Sequence, residues 1–126
     1  MAIRAFKTKW FARYARREGI SDKSLREAIE RAEQGSVDAD LGGGLIKQRL
    51  AGPGQGRSGG YRTVVAYRTG HRAIFLYSFA KSERDNIDGR ELDDLKKLAK
   101  QLLNYTDDQI AMAVRQTELK EVCCDD

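Results

Sequence analysis

Histidine, proline and tryptophan each occur once in the 126 residues, and the two cysteines are neighbours, Cys123 and Cys124. Each scarcity excludes something. With only His71, placed in a Gly70-His71 turn, the two-histidine acid–base pair of a pancreatic-type nuclease cannot be assembled. Adjacent cysteines cannot staple a fold, and two soft ligands without a nearby histidine make a poor zinc site. They read as tail residues in a reducing compartment. No stretch approaches the roughly 20 apolar residues needed to span a bilayer, and the N-terminus lacks the apolar core of a secretory signal. A cytoplasmic protein with no membrane partner is expected. One proline among 40% apolar residues argues for a folded globule and against a disordered chain.

Acidic residues are the most unevenly distributed absence. Residues 47–84 hold eight Lys or Arg and one acid, Glu83, while residues 1–31 carry a net +5, 32–46 a net −3 and 85–126 a net −5. The overall +4 therefore hides a polarised molecule. The cations of 47–84 (Lys47, Arg49, Arg57, Arg62, Arg68, Arg72, Lys81 and Arg84) are threaded among Val64, Val65, Ile74, Phe75 and Leu76. An unpaired cation costs several kcal/mol or more in a low-dielectric interior, so they are expected to line a solvated sheet face. Such a face attracts polyanions, and nucleic acid is the first candidate.

The periodicity predicts one domain over 1–126, with 117–126 as a tail. A short extended start holds Ile3 and Phe6. Helices follow over Lys7–Glu18, with Trp10, Phe11, Tyr14 and Ala15 on one stripe, and over Asp22–Gln34, with Leu25, Ala28, Ile29 and Ala32 inward. Gly19 and Gly35 stop them. From Val37 the period becomes two: Val37–Leu41, Leu45–Leu50, Tyr61–Thr69 and Arg72–Phe79 read as strands, the last two joined by a tight turn that demands antiparallel pairing. Further helices are predicted over Gly89–Asn104 and from a Thr106 cap to Val114, and Glu118–Val122 as a strand or a partner-binding tail. The order specifies an α+β fold, with an N-terminal αα-hairpin and C-terminal helices packed on one face of a small antiparallel sheet.

Gly54-Gln-Gly-Arg-Ser-Gly59 matches the dinucleotide pattern G-x-G-x-x-G, but a strand follows it where the pyrophosphate site needs a helix. The loop 51–60 is instead a candidate anion nest, with Arg57 and Ser58 as donors at its rim. Lys47 and Arg49 share one side of their strand, as do Arg62 and Arg68. Clustered cations favour a neutral lysine able to act as a base, and Arg grips phosphate bidentately. With Glu83 as the only carboxylate in the region, any RNA cleavage is expected to proceed without metal or other cofactor. Tyr61, Tyr67, Phe75, Tyr77 and Phe79 alternate along the two long strands and are assigned mainly to the core, with one or two able to stack bases.

Three strings, Gly42-Gly-Gly-Leu-Ile-Lys-Gln-Arg-Leu50, Gly56-Arg-Ser-Gly-Gly-Tyr-Arg62 and Phe79-Ala-Lys-Ser-Glu-Arg-Asp-Asn86, resemble the RelE/HigB superfamily of bacterial type II toxins. The resemblance implies a RelE-like fold and a ribosome-dependent endoribonuclease that cuts messenger RNA and inhibits translation. It also implies a cognate antitoxin of helix-turn-helix type. It places Lys47, Arg49, Arg62, Lys81 and Arg84 in the catalytic set, and Arg57, Ser58, Arg68 and Asn86 against RNA. Ser82 stands where the family carries a functional arginine, and Asp88 where it carries a C-terminal tyrosine. Two alternatives share the charge map: a gyrase inhibitor of the ParE type and a non-catalytic RNA-binding module.

Overall fold

Thr8 ends one element and begins the next. The computed structural model describes residues 3–51, 60–84 and 86–122. Strand β1 covers Arg4–Thr8, and the Thr8 side chain then caps helix α1, Lys9–Glu18, by accepting from the Phe11 N–H. Lys7 therefore belongs to the strand and not to the helix. Its ammonium is buried and paired with Asp22 at 2.6 Å, so the Asp22 carboxylate serves both a helix start and an ion pair. Gly19, at φ 75°, closes α1, and Ser21 caps α2, Asp22–Glu33.

The middle of the chain is β2 (Ala39–Gly42), β3 (Leu45–Leu50), β4 (Tyr61–Arg68) and β5 (Arg72–Ala80). Helix α3 (Gly89–Leu103), helix α4 (Asp107–Arg115) and strand β6 (Leu119–Glu121) follow. Both later helices open on capping boxes, Asp88 with Glu91 and Thr106 with Gln109, in which each side chain bonds the other residue's N–H.

The six strands form one sheet in the order β2-β3-β4-β5-β1-β6. This mixed α+β architecture corrects two expectations. The sheet is not wholly antiparallel, because β1 inserts parallel to β5, Arg4 facing Arg72 and Phe6 facing Ile74. The segment from 117 is also more than a tail: β6 covers the other edge of β1, and Leu119 and Val122 are buried. Cys123 and Cys124 lie outside the described residues.

The helices do not share one face. Leu50, Tyr61, Val65 and Phe75 point to α1 and α2, while Leu45, Val64, Ala66 and Ile74 point to α3 and α4. Helix α1 rests on β5 and β1, and α2 on β3, so each of the first two helices is held by the sheet. A fully buried Phe11 or Leu25 contributes about 1.5–3 kcal/mol to the half of this core beneath α1 and α2.

The register of β5 shifts between Val64 and Val65, where Val65 faces Phe75 but Val64 faces Tyr77. Leu76 is the extra residue of a β-bulge, and it reverses which way the rest of the strand points. Phe75 keeps its place 5.3 Å from the Phe11 ring. Tyr77 and Phe79 turn to the opposite face, contrary to the parity that groups all three together.

Arg72, one of the cations expected on an open face, is only 4% exposed. Its guanidinium donates to the Leu102 and Tyr105 carbonyls at 3.0 and 2.8 Å and to Asp107 at 3.1 Å, joining the sheet to the α3–α4 corner. Replacing Arg72 with Met removes a charged donor from the Leu102 and Tyr105 carbonyls and is expected to cost about 2–4 kcal/mol in urea denaturation. Asp107 is largely exposed, so Asp107→Asn is expected to cost less than about 1 kcal/mol in the same assay.

Candidate nucleic-acid interface

In the β3–β4 register Arg49 lies directly opposite Arg62 and Lys47 opposite Val64, while Arg62 faces Phe79 on β5. Directly opposed residues keep their Cβ atoms about 4.5–5.5 Å apart on one face. Lys47, Arg49 and Arg62 therefore form a compact group on the α3 side of the sheet, with Phe79 beside them. The segment leading from β5 into α3 closes over this group. Lys47 Nζ donates to Asn86 Oδ1 at 2.9 Å, and Arg84 Nε donates to the Asn86 carbonyl at 2.9 Å. Lys81 is exposed at the start of this segment, and its backbone N–H donates to the Gly60 carbonyl.

Two of the five candidate catalytic cations are held by carboxylates. Arg84 grips Glu91 with both terminal nitrogens, and its guanidinium carbon lies 5.3 Å from the centre of the Phe79 ring. The hydrogen bond from Arg84 holds the Glu91 carboxyl below its ordinary range, and the Arg84 guanidinium is raised in turn. Glu91 is the same residue that closes the α3 capping box. Arg49 binds Asp38 through its backbone N–H at 2.7 Å and its guanidinium at 3.3 Å, and Arg31 binds the same carboxylate at 3.3 Å. Burial pushes the Asp38 carboxyl up, but bonds from Arg49 and Arg31 outweigh it and leave the group below its usual range.

Among the described residues, Lys47, Arg62 and Lys81 have no carboxylate ion pair. Arg62 is the sharpest case. Its Nη1 is buried and has no hydrogen-bond partner among the described residues, a condition that few buried donors tolerate and that an incoming anion would relieve. The site thus combines an orphaned guanidinium nitrogen, an amine steered by a neutral amide, and two arginines whose carboxylate partners a phosphate could displace.

The structure brings together Lys47, Arg49, Arg62, Arg84 and Asn86, with Lys81 at the edge. It does not bring Arg68. That residue shares the face of Arg62 but sits six positions along β4, about 20 Å away at roughly 3.4 Å per residue. Its guanidinium donates to the Leu103 carbonyl at 3.0 Å. Arg57 and Ser58 fall outside the described residues.

Asp38 and Glu91 were not legible as partners of the site, although Asp88-Gly-Arg-Glu91 has the spacing of a capping box. Trp10, assigned to an inner stripe, is 40% exposed, with its ring 5.2 Å from that of Tyr14 and 4.9 Å from that of Tyr77.

A family model described as the RelE toxin of the RelE/RelB toxin-antitoxin system matches residues 3–122. The chain belongs to the RelE toxin family. It is accordingly the toxin component of a toxin-antitoxin system, and an antitoxin partner is implied. No curated protein and no solved structure gives a significant match to the chain. Among the described residues no helix is long and apolar enough to cross a membrane.

Asp38→Asn is expected to lower stability by about 1–3 kcal/mol at neutral pH, because three donors lose a charged acceptor. Since the folded-state pKa of Asp38 lies below its unfolded value, its contribution is complete above about pH 4–5 and is lost as pH falls through the folded value. Urea denaturation from pH 7 to pH 3 should show the wild-type advantage over Asp38→Asn shrinking across that acid window.

Proposed function

We propose that this toxin is an endoribonuclease that cuts messenger RNA on the ribosome, in the cytoplasm, by attack of a 2′-hydroxyl on its own adjacent phosphate. The observation that carries this reading is the buried, unpartnered Nη1 of Arg62, set among Lys47, Arg49 and Arg84 on one face. A phosphodiester seated there would give Arg62 its missing acceptor and would find positive charge on several sides.

In the reaction the 2′-oxygen bonds to phosphorus and the bond to the 5′-oxygen breaks, leaving a 2′,3′-cyclic phosphate and a 5′-hydroxyl. Lys47 in its amine form takes the 2′-hydroxyl proton, with Asn86 holding the amine in place. Arg62 and Arg49 stabilise the phosphorane oxygens, where charge builds up, and preorganised donors of this kind are usually the largest single contribution to such a rate. Lys81 delivers a proton to the departing 5′-oxygen, and Arg84 offsets the charge on the leaving group. Since the substrate supplies its own nucleophile, DNA, which lacks the 2′-hydroxyl, is not cut. The antitoxin, of helix-turn-helix type, silences the toxin by covering this face or the N-terminal helices.

Arg62→Ala is expected to lower cleavage about 10²–10³-fold, and Lys47→Ala to lower it comparably, while both proteins remain folded. Mapping transcript 5′ ends after induction, with and without engaged ribosomes, reads this directly. Intact transcripts accompanied by DNA breaks would point instead to gyrase. Wild-type RNA binding without new 5′ ends would indicate a non-catalytic binder.

A further inference from the structure

A second cluster of cations lies on the same sheet face, at the opposite end of β3 and β4. The turn Gly42–Gly44 connects β2 to β3, and its three glycines hold φ of 83°, 63° and 85°, values that L side chains rarely adopt. The absence of side chains there lets the stem of Lys96 lie across the turn. A Cβ on Gly43 would meet Lys96 Cγ at 3.2 Å, and one on Gly44 would meet Leu103 Cδ1 at 2.8 Å. Between the turn and the C-terminal half of α3 runs a groove of about 470 Å³, lined by Gly43, Gly44, Arg68, Lys96, Lys97 and Lys100 among others, with no acidic side chain in its wall.

Elsewhere the fold matches many of its cations to carboxylates: Arg4 with Glu121, Lys7 with Asp22, Arg72 with Asp107, Arg84 with Glu91. Among the described residues none of the four groove cations has such an ion pair. The negative end of the α3 dipole accounts for Lys100 and for Arg68, which binds the Leu103 carbonyl. It does not account for Lys96 and Lys97, a turn earlier. Four like charges around one concavity repel one another unless an anion sits among them.

We propose that this groove is a second RNA site, which grips phosphates of the strand or of a neighbouring RNA segment and performs no chemistry. It rests on the reading of the chain as an RNA-directed toxin and adds a binding contact to it. The groove lies five residues along β3 from Arg49, about 17 Å at roughly 3.4 Å per residue. Lys47 stands between the two ends. RNA anchored in the groove can thus be held while another of its phosphates occupies the Arg62 pocket.

The test uses the full chain and RNA carrying 2′-O-methyl groups, which cannot be cut. Affinity is measured across salt concentrations for the wild type and for the Lys96→Gln, Lys97→Gln, Lys100→Gln triple variant. Each lost phosphate contact reduces the slope of log affinity against log salt by about 0.7–0.9. The triple variant is therefore expected to lose about 2–3 from that slope, and at least about 10-fold in affinity near 0.1 M salt. A double variant, Lys97→Gln with Lys100→Gln, alters only exposed side chains and is expected to lose about 1–2. Unchanged slopes in both would overturn the proposal, as would intact RNA affinity alongside weakened antitoxin binding. Because the readout is binding of uncuttable RNA, it is separable from catalysis. A wild type that never cleaves RNA would defeat the ribonuclease reading, yet these slopes would still decide the groove.

Discussion

Leu76 is one residue too many for the strand pairing it sits in, and the rest of the site follows from that insertion. Without the bulge, Phe75, Tyr77 and Phe79 would share a face with Phe11 and deepen the core beneath α1. With it, the first ring stays in that core while the next two cross to the cationic side. Phe79 comes to lie opposite Arg62 and under Arg84, and Tyr77 comes within reach of Glu91 and Trp10. An apolar floor beside guanidinium groups lowers the local dielectric, which strengthens whatever charge pairing occurs above it.

The cations divide into three kinds by what they touch. Arg72 and Lys7 are buried struts, satisfied by carbonyls or a carboxylate. Arg49 and Arg84 are held by Asp38 and Glu91, which set their direction before any ligand arrives. Lys47, Arg62 and the α3 lysines have no such ion pair among the described residues. Only the last kind presents uncompensated charge, so net charge along the sequence overstates the attractive surface near β4 and β5 and understates it on α3.

Much of the architecture was legible from period and punctuation. Helices α2, α3 and α4 and strands β3, β4 and β5 lie where the apolar spacing places them, and Gly19 and Thr106 act as expected at helix ends. What was not legible depends on contacts between distant residues. The parallel pairing of β1 with β5 joins Arg4 to Arg72, and nothing local to either segment signals it. A bulge leaves no mark in an uninterrupted run such as Ile74-Phe75-Leu76-Tyr77. The shared strand face of Lys47 and Arg49, and that of Arg62 and Arg68, was legible from parity, but the β3–β4 register that sets Arg49 opposite Arg62 was not. Arg68 lies far from that pairing, because parity specifies a face and says nothing about distance along it. Lysines on α3 were masked in the charge count by Asp93 and Asp94, neither of which lines the groove.

Strand β6 has a consequence for how the toxin comes into being. Strand β1 is flanked on one side by residues 72–75 and on the other by residues 119–121. Translation must run past Glu121 before that outer edge is covered and Arg4 meets its acid. A chain made only as far as β5 therefore has an unfinished sheet, with one edge of β1 still open to pairing.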